Sequence, residues 1–144
     1  MQQSTWGNHL AYQLVGRRDR KTGALSTHAQ VFISYQDDVH RKYDTARNTK
    51  AEMLRLSVIT RESPRCMKRP CVYDEQFTVE IPEAELRVGA ANGYAFKIFA
   101  KTGPENLVQV PKELIQSFFV RVDQPGAPAG TASPEARPRA AAKI

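Results

Sequence analysis

The run Cys66-Met67-Lys68-Arg69-Pro70-Cys71-Val72-Tyr73-Asp74-Glu75-Gln76-Phe77-Thr78-Val79-Glu80 constrains the fold of this chain more than any other stretch. Its second half alternates: Phe77, Val79 and Ile81 are apolar, Thr78 and Glu80 polar, and Pro82 ends the pattern. A period of two belongs to a strand with one buried face and one wet face. Two cysteines separated by four residues stand where the chain enters that strand. The middle of the protein is therefore a sheet, entered through a turn that a disulfide could pin.

The same alternation recurs along the chain. Leu10 to Gly16 and Ala29 to Tyr35 are rich in β-branched and aromatic residues, and they flank the basic turn Arg17-Arg18-Asp19-Arg20-Lys21-Thr22-Gly23 as a long hairpin would. The polar segment from Gln36 to Thr49 reads as a loop with a helical turn, and Leu54, Leu56 and Val58 alternate as one half-wet strand. After Pro82, carboxylates at Glu83 and Glu85 and a glycine at Gly89 fit a helix of one or two turns ending at that glycine. Asn92-Gly93 marks a turn, and Tyr94, Phe96 and Ile98 restart the strand pattern. Lys101 to Pro104 turns the chain, and Leu107 to Val110 is a short strand. Pro111 then opens a helix with Leu114, Ile115, Phe118 and Phe119 on one stripe.

These elements predict a mainly β fold: a single antiparallel, sandwich-like domain over residues 1–123 with one or two short helices. From Gln124 to Ile144 the composition shifts to Pro, Ala, Gly and Ser, which cannot bury enough apolar surface to offset ordering entropy; a disordered tail is expected over 124–144. At 144 residues, 41% hydrophobic and 25% charged, the chain is of ordinary globular composition, and no run approaches the roughly 18 apolar residues of a membrane span.

The net charge of +6 is a mild excess, densest at Arg17, Arg18, Arg20 and Lys21. Those four are the candidate anion or nucleic-acid contacts, although phosphate binding needs several cations converging on one surface and a charged turn is ordinarily solvated. Cys66 and Cys71 are the candidate disulfide. A lone pair of cysteines falls short of the four ligands of structural zinc, and His9, His28 and His40 lie in unrelated segments, so no metal and no cofactor are expected. The spacing also differs from the catalytic C-x-x-C pattern. Whether the thiols are bonded or reduced depends on the compartment.

Signatures of phosphate-binding loops, serine hydrolases, zinc proteases and dinucleotide folds do not occur in the sequence. Asp37-Asp38 with His40, and Asp74-Glu75, are the tight acid clusters; such pairs can run acid/base chemistry, but loop acids are usually solvated or capping groups. Tyr12, Phe32 and Tyr35 could stack bases beside the basic turn, yet aromatic residues in strands usually face a core. Trp6 reads as a core anchor.

Cys66 to Val122 resembles the C-terminal half of small uncharacterised proteobacterial envelope proteins, often lipoproteins. There a cysteine pair leads into a Tyr-x-Glu strand, a proline, a short helix, a strand ending in a Lys-x-Gly turn and a final Pro-opened segment. The matching residues here are Cys66, Cys71, Tyr73, Glu75, Phe77, Pro82, Leu86, Phe96, Lys101, Gly103, Pro111 and Phe118. The resemblance implies an envelope or periplasmic location and supplies no catalytic residues. Such proteins carry a leader, whereas the polar opening Met1 to Asn8 has neither a basic nor an apolar signal region, so the alternative location is the cytoplasm. Two function classes follow. The first is a non-enzymatic β-domain presenting a surface to a protein partner at the envelope; the second is a cytoplasmic nucleic-acid-binding or mobile-element accessory protein acting through Arg17 to Lys21.

Overall fold

The computed structural model describes residues 9–61, 64–67, 70–124 and 129–132. The elements run β1 (His9–Arg18), β2 (Leu25–Asp37), β3 (Tyr43–Asn48), β4 (Met53–Leu54), β5 (Leu56–Arg61), β6 (Cys71–Ile81), α1 (Glu83–Asn92), β7 (Tyr94–Ala100), β8 (Glu105–Val110), α2 (Lys112–Val122) and β9 (Ala129–Ala132). They build two antiparallel sheets, ordered β5-β6-β2-β1-β9 and β4-β3-β7-β8. The expected mainly β, antiparallel fold with two helices is what forms. Trp6 lies outside the described residues.

The chain divides into two compact units. The first comprises Met1–Ala11, Val31–Val79 and Ala95–Gln109. Its core is made by strictly alternating positions: Val31, Ile33 and Tyr35 on β2, Tyr73, Phe77 and Val79 on β6, and Phe96 and Ile98 on β7 are all buried. Aromatic rings from both sheets meet there, with the Tyr43 and Phe77 centroids 6.1 Å apart and those of Tyr35 and Tyr43 6.2 Å apart in an edge contact. Such geometries add to what burial of the rings already contributes.

Four expectations need correction in this unit and the next, the last of them in part. The segment read as a loop contains β3, which pairs with β4 on one side and β7 on the other. Leu54, Leu56 and Val58 are not one strand: the chain breaks at Arg55, so that Leu54 opposes Ala46 in one sheet while Leu56 opposes Val79 in the other. The third correction is the helix end. Helix α1 continues through Gly89 to Asn92, because Gly89 is where α1 meets α2: a Cβ there would stand 3.0 Å from Ile115 Cδ1 and 3.1 Å from Tyr94 Cβ. The stop is Gly93, whose φ of 88° is one that L side chains rarely adopt.

The second unit comprises Tyr12–Gln30, Glu80–Tyr94 and Val110–Ile144. Here α2 buries Leu114, Ile115, Phe118, Phe119 and Val122, the stripe its sequence predicts. Gly16 on β1 lets this helix approach, since a Cβ there would lie 2.9 Å from Phe118 Cζ. Arg87 of α1 stacks its guanidinium 4.1 Å from the Phe119 ring centre and grips Asp123 with both terminal nitrogens at 3.0 and 2.9 Å, holding the Asp123 carboxyl below its ordinary pKa. Residues 129–132 correct the tail expectation in part, because they form a strand that pairs with Leu14 to Arg17 of β1; residues 125–128 and 133–144 lie outside the described residues.

Candidate functional site

Strand alternation places Cys71, Tyr73, Glu75, Phe77, Val79 and Ile81 on the inward face of β6, so one carboxylate is carried into the core of the first unit. Glu75 is 1% exposed. A buried charge is tolerated only when its lone pairs are met by donors, and three converge here. The Tyr35 hydroxyl donates to Oε2 at 2.5 Å, the Lys42 backbone N–H to the same oxygen at 3.0 Å, and the Tyr43 N–H to Oε1 at 2.9 Å. Two consecutive amides can face one carboxylate because Lys42 takes a left-handed conformation, φ 60°, at the end of the β2–β3 connection. That conformation costs about 1–2 kcal/mol in a residue with a Cβ, and the charge-assisted bonds offset it.

The network extends outward through the same connection. The Arg41 backbone N–H donates to Tyr35 Oη at 2.9 Å, so that hydroxyl accepts from one side and donates to Glu75 on the other. Burial, and then the hydrogen bond to Glu75, pushes the Tyr35 phenol well above the ordinary tyrosine pKa. The Arg41 guanidinium lies 4.2 Å from the centre of the Tyr35 ring, binds Asp37 Oδ2 at 2.9 Å and donates to Tyr43 Oη at 3.2 Å. Burial would raise the Asp37 carboxyl, but the Arg41 hydrogen bond and the N–H groups of Asp38 and Val39 hold it below the carboxylate norm. Tyr43 completes the chain by donating to Asn106 Oδ1 at 2.6 Å. His40 stacks on Tyr73 with ring centres 5.0 Å apart. Among the described residues its buried Nε2 finds no hydrogen-bond partner, although it stands 3.4 Å from Glu75 Oε2.

The carboxylate and imidazole that sequence reading separates into two acid clusters are thus neighbours. Their chemistry is that of a clasp. A general acid or base must reach a substrate proton, whereas both Glu75 oxygens already accept hydrogen bonds and the group is sealed from solvent. The arrangement ties the β2–β3 connection to β6. Asp74, its sequence neighbour, points the other way and pairs with Arg65 at 2.6 Å, which lowers its pKa. Among the described residues no group of three or more His, Cys, Asp and Glu is placed to hold a metal ion, and no helix is long and apolar enough to cross a membrane.

Cys66 and Cys71 come together, their sulfurs 2.03 Å apart and their Cα atoms 4.4 Å apart, at disulfide distance. Just outside them Arg65 and Val72 exchange two backbone hydrogen bonds of 2.9 Å, so the neck of the β5–β6 turn is closed twice. The basic turn behaves differently. Arg18 is occupied by the end of α2, donating to Val122 O and to Gly23 O at 2.9 Å each and lying 3.9 Å from Asp123. Asp19 accepts from the Lys21 N–H at 2.7 Å and fixes the turn. Arg17, Arg20 and Lys21 remain exposed.

Sequence reading missed one further feature of the first unit. The described large apolar side chains left in water are Phe32, Val39, Met53, Val58, Ile59, Met67, Val88 and Val120, and four of these eight fall between Met53 and Met67. That stretch contains β4, the edge of one sheet, and β5, the edge of the other. Ile59 is the extra residue of a bulge, since Val58 opposes Phe77 and Thr60 opposes Gln76. The chain matches no protein-family model, no curated protein and no solved structure.

Proposed function

We propose that this protein is a non-enzymatic β-domain that presents a surface to a protein partner at the cell envelope. The observation that carries the reading is the concentration of exposed apolar side chains at Met53, Val58, Ile59 and Met67, beside a turn closed by Cys66 and Cys71. Large apolar side chains concentrated in one exposed stretch of chain support an interaction site there, and a cysteine pair at bonding distance fits an oxidising compartment. The saturated Glu75 clasp supports a structural rather than a catalytic use of the buried polar groups. The test is a photo-crosslinking amino acid placed at Ile59 or Met67, with Val88 as control, in cells exporting the protein. One discrete protein adduct from the first two positions and none from Val88 is expected; adducts from none of them count against the reading.

The nucleic-acid reading keeps one favourable observation, the exposure of Arg17, Arg20 and Lys21 on one turn. It requires binding to duplex DNA or RNA that weakens steeply with salt and is lost when those three become alanine.

A further inference from the structure

We infer that the open edge strand β5 takes up an extended peptide segment of a partner as an added strand, and that this segment carries acidic residues flanking alternating apolar ones. The inference rests on the partner-binding reading and names the partner's chemistry. Among the described residues β5 has β6 on one side and no strand on the other, and β4 likewise has only β3. An edge presents unpaired N–H and C=O groups that another strand can satisfy, and proteins ordinarily blunt such edges with charge or bulges. Here the blunting is partial. Val58 sits opposite the buried Phe77, on the core-facing side of the sheet, yet is 44% exposed, so the inner face stops short at this edge. Ser57 to Thr60 carries no charge.

The charge that is present has one prevailing sign. The tip of the β3–β4 connection and the break between β4 and β5 carry exposed Arg47, Lys50 and Arg55, against Glu52 in the connection and exposed Glu80, which follows Val79, the partner of Leu56. Glu52 is itself engaged, its Oε1 accepting from the Asn48 amide at 2.9 Å. A basic rim repels a second copy of the same edge and steers acidic segments toward it. An acidic, apolar strand is the occupant that satisfies the backbone, the exposed Val58 and Ile59 and the rim together.

The experiment uses the full chain and two labelled probe peptides of alternating valine and threonine, one flanked by aspartates and one by lysines, read by fluorescence anisotropy. The aspartate-flanked probe is expected to bind at least about tenfold more tightly, with the difference shrinking as salt rises from about 0.05 to 0.5 M. Arg55→Glu should reverse the preference, and Ile59→Asp should weaken the aspartate probe by about tenfold or more while circular dichroism stays that of the parent. Equal binding of both probes, or no change with Arg55→Glu, overturns the inference. Concentration-dependent dimerisation lost with Ile59→Asp also overturns it, by making a second copy the occupant. If neither probe binds while crosslinking at Met67 still captures a partner, the strand-addition inference falls and the broader partner reading stands.

Discussion

Replacing Glu75 with glutamine keeps the shape of the side chain and removes what the clasp depends on. The carboxylate accepts from Tyr43 N–H at one oxygen and from Tyr35 O–H and Lys42 N–H at the other. An amide has one oxygen and one NH2 group. Turned one way, the NH2 faces the Tyr43 N–H; turned the other, it faces the Lys42 N–H. Either way at least one buried donor loses its acceptor, which costs about 1–3 kcal/mol, and the surviving bonds lose charge assistance worth about 1 kcal/mol each. The expected destabilisation from Glu75→Gln is therefore about 2 to 5 kcal/mol, read by chemical denaturation. At roughly 2–4 °C per kcal/mol for a chain of about this size, the melting temperature should fall by about 5 to 15 °C. A loss under about 1 kcal/mol would refute the clasp. A gain in stability would refute it more sharply, because relief on neutralising a carboxylate is the behaviour of a strained functional group rather than a structural one.

Gly93→Ala should cost about 1–3 kcal/mol in the same assay, since φ is 88° there and an added Cβ would stand 3.1 Å from Val110 O. His28 has its pKa lowered by burial first and by Arg17 second, against a smaller opposing pull from Glu80. A lowered histidine contributes stability that is complete above the unfolded value of 6.5 and is lost as pH falls below it; the parent protein should therefore lose more stability than His28→Gln between about pH 7.5 and 5.5. Removing both cysteines should cost at most about 2 kcal/mol because the loop they close is small. Mass spectrometry of exported protein alkylated without reduction should find no free thiol at Cys66 or Cys71, and two free thiols would remove the main support for the envelope location.

Alternation makes β6, β7 and the β1–β2 hairpin legible in the amino-acid sequence, and helical spacing does the same for α2. It fails on β3, whose buried residues are only Tyr43 and Ala46 among Asp44, Thr45, Arg47 and Asn48; that strand exists because β4 and β7 pair with it from either side. It also merges β4 and β5, because a period of two shows which face a residue takes and not which sheet its strand joins. Gly89 resembles a helix stop for want of any sign in the sequence that α2 presses against it. The clasp is readable in part. Extending the β6 alternation back from Phe77 puts Glu75 on the core face and Asp74 on the opposite one, which separates two acids that sequence adjacency treats alike. Tyr35, His40 and the Lys42 and Tyr43 amides are not readable as its partners, since a left-handed backbone at a lysine leaves no mark in the sequence.

Amide hydrogen exchange along residues 53–61 bears most directly on the proposal that this edge is the recognition surface. In the free protein the β5 amides facing away from β6 should exchange rapidly, and the aspartate-flanked probe should protect those same amides at alternate positions while leaving α1 and α2 unchanged. Protection of the β5 edge before any probe is added, or probe-induced protection that appears only outside residues 53–61, would contradict the account.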